Sequence, residues 1–65
     1  MKIDTPYIKL DSFMKAVNAA SSGSEAKFII MEGKVLVNGD KELRRGRKLY
    51  PGDRIEVGGN VYIVE

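Results

Sequence analysis

The chain contains no cysteine, no histidine and no tryptophan among its 65 residues. Without cysteine it can form no disulfide, so a domain of this size must be stabilised by packing and local structure. Histidine and cysteine are also the usual zinc ligands, and histidine is the commonest general base. The sequence therefore excludes the familiar zinc sites and catalytic triads, and we expect no enzymatic activity, no metal and no cofactor.

Long apolar runs are missing as well. No stretch approaches the length of a membrane span, and the first residues lack the apolar core of a signal peptide. We expect a cytoplasmic protein with no membrane partner. No internal repeat or linker interrupts the sequence, which predicts a single domain over residues 1–65.

The best-marked stretch of the chain is residues 22–39, which predicts a helix followed by a hairpin. Ser22 with Glu25 three residues later has the form of a capping box, in which each side chain accepts from an amide at the helix start. Gly33 can take the left-handed conformation that ends a helix. One apolar stripe at helical spacing consists of Ala26, Ile29, Ile30 and Gly33. Val35–Val37 and Asn38-Gly39 then predict a strand and a tight hairpin turn.

An earlier helix is predicted from residue 10, because Leu10, Phe13, Met14 and Val17 also recur at helical spacing. Asp11 is placed either to cap this helix or to complement its positive end. We assign Phe13 and Met14 to the core. Residues 1–9 can form only a short edge strand, because proline at position 6 cannot donate to a ladder.

The second half of the chain predicts antiparallel strands. Residues 40–43 return from the hairpin, and residues 54–57 and 61–64 alternate around a turn at 58–60. Pro51-Gly52 has the composition of a type II turn. The predicted fold class is therefore α+β, with two helices packed on a small twisted antiparallel sheet. A second stripe on the second helix, formed by Ser24, Lys27, Phe28 and Met31, faces solvent or a partner.

Four short motifs come in the order and spacing of the S4 domain: KLD at 9–11, SGSEAK at 22–27, EGKVLVNG at 32–39 and PGD at 51–53. The chain resembles the small stand-alone S4-like RNA-binding proteins of bacteria, the YaaA/YbcJ-like group, over residues 7–57. The resemblance implies the S4 (αL) fold and binding of structured RNA, such as ribosomal or transfer RNA. It also allows for a ribosomal particle as partner, and we expect the protein to be a monomer.

Members of the S4 family bind RNA with the start of the first helix, the exposed face of the second and the adjoining sheet loop. Carried over by position, the resemblance implies that RNA contacts lie at Lys9, Ser24, Lys27 and Lys34. We expect these contacts to read phosphates and shape rather than base sequence.

Composition adds a second candidate surface, which we call the basic loop (residues 44–48). It contains Arg44, Arg45, Arg47 and Lys48, and within residues 41–48 only Glu42 opposes the positive charge. Clustered cations attract phosphate backbones even when net charge is only +2. The alternative is a solvated loop that protects a sheet edge from aggregation.

One position departs from the family pattern and keeps a second function open. Gly23 stands where the family has arginine, and Glu25 adds negative charge close by. These features favour an alternative in which an S4-like domain has lost the usual RNA surface and serves as a protein-interaction module.

Overall fold

The structure is a computed structural model that describes residues 2–65; Met1, the first residue of the predicted edge strand, lies outside the described residues. The elements are β1 (Ile8–Lys9), α1 (Leu10–Ala16), α2 (Gly23–Met31), β2 (Val35–Val37), β3 (Asp40–Lys41), β4 (Lys48–Leu49), β5 (Arg54–Val57) and β6 (Asn60–Ile63). The predicted α+β class is confirmed, but β4 was not predicted: its Lys48 was assigned to the basic loop, and it forms a strand because it pairs with β1. No helix among residues 2–65 is long and apolar enough to cross a bilayer.

The strands form two separate antiparallel ladders rather than one continuous sheet. Four strands pair in the order β3-β2-β5-β6, while β1 pairs only with β4. The predicted return strand at 40–43 ends at Lys41, because the Leu43 and Arg44 amides donate to the Glu42 carboxylate instead of to a neighbouring strand. The chain therefore leaves the main sheet at Glu42 and enters the basic loop.

One core joins both helices to the main sheet. The fully buried large side chains include Leu10, Phe13, Met14, Ile30, Leu49 and Ile55. The assignment of Phe13 and Met14 to the core is confirmed, and Phe13 also packs edge-on against Tyr62, with ring centroids 6.2 Å apart. Of the two isoleucines in the predicted stripe of α2, Ile30 is fully buried and Ile29 is only half-buried.

The start of α2 differs from the predicted capping box in one bond. Ser22 Oγ accepts from the Glu25 amide at 3.1 Å, as expected. The Glu25 carboxylate does not return this bond to Ser22. It accepts instead from the amide and hydroxyl of Ser21, at 2.9 and 3.1 Å, because Ser21 offers it two donors at once. The cap therefore fixes two residues before the helix.

Glycine and asparagine set the end of α2 and the turn that follows β2. Gly33 has φ +75, its amide donates to the Ile30 carbonyl, and the Lys34 amide donates to the Ile29 carbonyl. This is the Schellman arrangement that satisfies the last helical carbonyls. Asn38 and Gly39 have φ values of 53 and 88, as a type I′ hairpin turn requires, so the predicted hairpin is confirmed.

Candidate nucleic-acid interface

The basic loop is attached to the beginning of α1 by backbone hydrogen bonds. The Leu10 amide donates to the Arg47 carbonyl at 2.9 Å, and the Asp11 amide donates to the Arg45 carbonyl at 3.1 Å. The first amides of a helix have no partner within the helix, so the loop carbonyls occupy the place of a side-chain cap. Asp11 does not cap α1; its Oδ1 accepts from the Ser12 amide at 2.8 Å.

The buried carboxylate of Glu42 fixes the same loop through hydrogen bonds. Glu42 is only 7% exposed. Its Oε2 accepts from the amides of Leu43 and Arg44, both at 3.1 Å, and from Arg44 Nε at 3.2 Å. Its Oε1 lies 2.6 Å from Arg47 Nη1. Both oxygens are therefore fully engaged, and the backbone path at residues 42–44 is fixed by a side chain.

The charge state of Glu42 follows from these bonds. Burial raises the pKa of this carboxyl, but the hydrogen bonds from Arg44 and Arg47 lower it by more, and the pKa falls from 4.5 to about 2. Glu42 is therefore ionised at neutral pH. Its two arginine partners differ in exposure: the Arg44 side chain is 76% exposed and the Arg47 side chain is 33% exposed. Arg44 is therefore the more open of the two to a ligand, and Arg47 the more closely held by Glu42.

Strand pairing brings the predicted contact at Lys9 to the basic loop. In the β1–β4 ladder, Lys9 is the register partner of Lys48, and both side chains are exposed. Directly opposed residues of an antiparallel pair have Cβ atoms about 5 Å apart. Lys48 Nζ also lies 5.0 Å from the centre of the Tyr7 ring. Lys9 and the basic loop therefore form one positively charged surface.

Tyr50 adds an aromatic side chain to this surface, which the sequence analysis did not assign to a site. Its ring centroid lies 6.0 Å from that of Tyr7, with an interplanar angle of 49°. Tyr50 also lines an open concavity of about 530 Å³ together with Arg44, Gly46, Arg47 and Lys48. A signal was available in the sequence, because strand alternation around buried Leu49 places Tyr50 and Lys48 on the same side.

The predicted contacts on α2 occupy a different part of the molecule. Ser24 and Lys27 are exposed, and the stripe they share with Phe28 and Met31 faces solvent, with these two apolar side chains 63% and 64% exposed. Lys34 lines a second concavity of about 370 Å³ with Asn18, Asn60 and Tyr62 among its walls. Among residues 2–65, no hydrogen bond or ion pair joins Ser24, Lys27 or Lys34 to the basic loop.

The residue that departs from the family pattern has free space around it. A Cβ placed on Gly23 would meet no heavy atom within 4 Å, and Gly23 is not among the residues with positive φ. The fold therefore does not require glycine at this position.

A metal site is also not found: within the described part of the chain, no group of three or more acidic side chains could hold a metal ion.

Two curated proteins are similar to this chain in sequence. The chain is 46% identical over 59 residues to "Probable ribosome maturation protein RlbA" of Bacillus subtilis (strain 168). The matched region covers 91% of this chain and 83% of that protein. It is 33% identical over 55 residues to YbcJ of Escherichia coli (strain K12), covering 85% of this chain and 79% of YbcJ.

Two solved structures are also similar. The solution structure of Escherichia coli YbcJ, described as revealing an αL motif involved in RNA binding, matches with a TM-score of 0.74 and 29% identity over 98% of this chain and 82% of that one. The 30S ribosomal protein S4e of Thermoplasma acidophilum matches with a TM-score of 0.78, covering 92% of this chain and 32% of that one. At 24% identity, S4e shows the fold alone.

The family model described as S4 domain matches residues 1–65, the whole chain. The matched model and the two relatives are named for an S4 domain, ribosome maturation and RNA binding, and the expectation that this protein is not an enzyme agrees with those names. The predicted resemblance is therefore correct, and the chain belongs to the S4 domain family.

Proposed function

We propose that this S4 domain binds structured RNA, with ribosomal RNA as its partner, and that it does so through phosphates and shape in the cytoplasm. One observation carries the proposal: Glu42 fixes the basic loop from within, and two backbone hydrogen bonds attach the loop to the start of α1. Exposed Lys9 and Lys48 are register partners, Arg44 lines the same concavity as Lys48, and the Arg45 backbone lies at the start of α1.

The buried carboxylate argues against the loop being only a solvated edge. Removing a charged group from water is costly, and the cost is recovered only when several good hydrogen bonds satisfy it. Lysines that merely protect a sheet edge need no such support. A loop that must present positive charge at a fixed position does need it, because a fixed cation loses less freedom when it meets a phosphate.

The relatives support RNA as the partner and the ribosome as its setting. One of them is named as a probable ribosome maturation protein, and the YbcJ structure was reported to reveal a motif involved in RNA binding. Binding through phosphates and shape suits structured RNA, because the major groove of an A-form helix is too narrow for side chains to read.

A second candidate function is a protein-interaction module acting through α2. The exposed Phe28 and Met31 favour it, since they lie on the same helix as Gly23, which stands where the family has arginine. In this alternative the α2 stripe contacts a protein.

Recovery of bound RNA from cells after crosslinking separates these two functions. We expect ribosomal RNA to be enriched with the parent protein, and enrichment to fall when Arg45 and Lys48 are both replaced by glutamine. Replacing Lys2 and Lys15 by glutamine is the matched control, because it removes the same charge from outside the proposed surface. Recovery of no RNA above background, or an equal loss in the control, would contradict the proposal and favour the protein-interaction module.

A further inference from the structure

We propose that the concavity at Tyr50 binds one unpaired nucleotide of an RNA, with the base stacked on the Tyr50 ring and its phosphates on the surrounding cations. This inference rests on the proposed function and adds the class of ligand: structured RNA carrying a bulged or looped-out nucleotide, rather than a continuous duplex.

The ring of Tyr50 is half-exposed, although its backbone is fixed on both sides. The Tyr50 amide donates to Asp53 Oδ2 at 2.8 Å, and the Asp53 amide donates to the Tyr50 carbonyl at 2.9 Å across the Pro51-Gly52 turn. The preceding residue, Leu49, is fully buried. A ring held in this way offers its surface at little cost in conformational entropy.

Tyr7 supports the Tyr50 ring at one side, and cations line the remainder of the concavity. Arg44, Arg47 and Lys48 are all among its walls, and Lys48 is itself placed over the Tyr7 ring. Its volume of about 530 Å³ lies within the range of small-ligand sites. An aromatic surface surrounded by cations is the combination that binds single-stranded nucleic acid, through base stacking and phosphate neutralisation.

The geometry favours an unpaired base over a paired one. A base inside an A-form helix has neighbours on both faces, so an aromatic side chain cannot stack on it unless the base leaves the helix. An acidic peptide would satisfy the cations, but its carboxylates would leave the exposed Tyr50 ring without a partner.

Two RNA hairpins that are closed by a non-nucleotide linker instead of a loop, and that differ only by one bulged 2-aminopurine nucleotide, test the inference. We expect the parent protein to bind the bulged hairpin more tightly and to quench its fluorescence through stacking. Tyr50→Leu should weaken binding of the bulged hairpin roughly tenfold, within the range measured for base–aromatic stacking, and should leave the paired hairpin almost unaffected. Tyr50→Phe should retain both the affinity and the quenching, because the hydroxyl is not needed for stacking.

Val61→Ala is the control for loss of an exposed apolar side chain, since Val61 is 48% exposed on β6. The quenching measurement uses the parent protein, so the inference stays testable even if Tyr50→Leu folds poorly. Equal binding of both hairpins without quenching would overturn the nucleotide site while leaving RNA binding intact. Binding of neither hairpin at any salt concentration would overturn the proposed function together with the inference.

Discussion

Arg47 Nη1 lies 2.6 Å from Glu42 Oε1, so the most basic segment of the chain is anchored by its only buried acid among residues 2–65. The negative charge does not simply cancel the positive surface. It fixes the backbone at residues 42–44 and leaves the Arg44 side chain 76% exposed. The position of the cationic side chains in the basic loop should therefore depend on the Glu42 carboxylate.

Replacing Glu42 tests whether this residue affects RNA binding by positioning the basic loop or only through its own negative charge. Counting charges alone, Glu42→Ala adds one positive unit and should strengthen RNA binding. We expect weaker binding instead, and a loss of about 1–3 kcal/mol in the free energy of unfolding, because two amides and two guanidinium groups lose their acceptor. Glu42→Gln keeps one acceptor oxygen, so its losses in RNA affinity and in free energy of unfolding should both be smaller. Salt-dependent RNA titrations and denaturant melts measure these effects; tighter binding by a folded Glu42→Ala would show that Glu42 has no positioning effect.

Acid unfolding should report the lowered pKa of Glu42. A carboxyl whose folded pKa lies below its unfolded value contributes stability above the unfolded pKa and loses it as pH falls toward the folded one. The relevant window runs from about pH 4.5 down to about pH 2. We expect the parent to lose stability more steeply across this window than Glu42→Gln, which cannot titrate. Parallel curves for the two proteins would contradict the assignment.

The core assignment predicts different costs for two neighbouring isoleucines. Ile30 is fully buried, so Ile30→Ala should cost about 2–5 kcal/mol, a large part of the stability of so small a domain. Ile29 is half-buried, and Ile29→Ala should cost clearly less. Thermal melts of both variants measure the difference. A melting temperature for Ile30→Ala within a few degrees of the parent would mean that the wrong face of α2 has been placed inward.

Gly23→Arg tests whether α2 also faces RNA. The open space around Gly23 accommodates a side chain, and an arginine there would supply the cation that the family pattern has. We expect severalfold tighter RNA binding, with a free energy of unfolding about 0.3–1 kcal/mol lower than that of Gly23→Gln, because a cation opposes the positive end of the helix. Gly23→Gln is the uncharged control; it should leave RNA affinity unchanged and should not lose stability, because replacing a glycine that has no special conformation restricts the unfolded chain. Unchanged affinity in a folded Gly23→Arg would assign the α2 stripe to another partner.

Local signals in the sequence were sufficient for both helices and the first hairpin, but not for β4 or for the site. The Ser22 cap, the glycine at 33 and the Asn38-Gly39 turn each act within a few residues, and the structure contains all three. The carboxylate of Glu25 reaches Ser21 rather than Ser22 because side-chain bonds depend on which donors lie within reach. The spacing of residues in the sequence does not show which of these donors a side chain will bind.

The features that build the interface depend on pairing between distant segments. Lys9 meets Lys48, and Tyr7 meets Tyr50, only because β1 pairs with β4 across most of the chain length. The sequence showed Glu42 as the one acid beside a basic run, but it could not show that this acid is buried. The burial of Glu42 depends on how the sheet and the loop pack together. The different exposures of its two partners, Arg44 and Arg47, therefore became clear only from the structure.

The central claim is that the surface held by Glu42, rather than the α2 face, carries the RNA affinity, and its most direct test is the salt dependence of RNA binding. Three double variants remove equal charge: Arg45→Gln with Lys48→Gln, Lys27→Gln with Lys34→Gln, and Lys2→Gln with Lys15→Gln. The slope of log affinity against log salt is negative, and each lost phosphate contact should reduce its magnitude by about 0.7–0.9.

We therefore expect the loop variant to reduce the magnitude of the slope by roughly 1.4–1.8, the α2 variant to reduce it by less and the control variant to leave it almost unchanged. A larger loss in the α2 variant, equal losses in all three variants, or a parent protein whose RNA binding does not depend on salt would contradict the account.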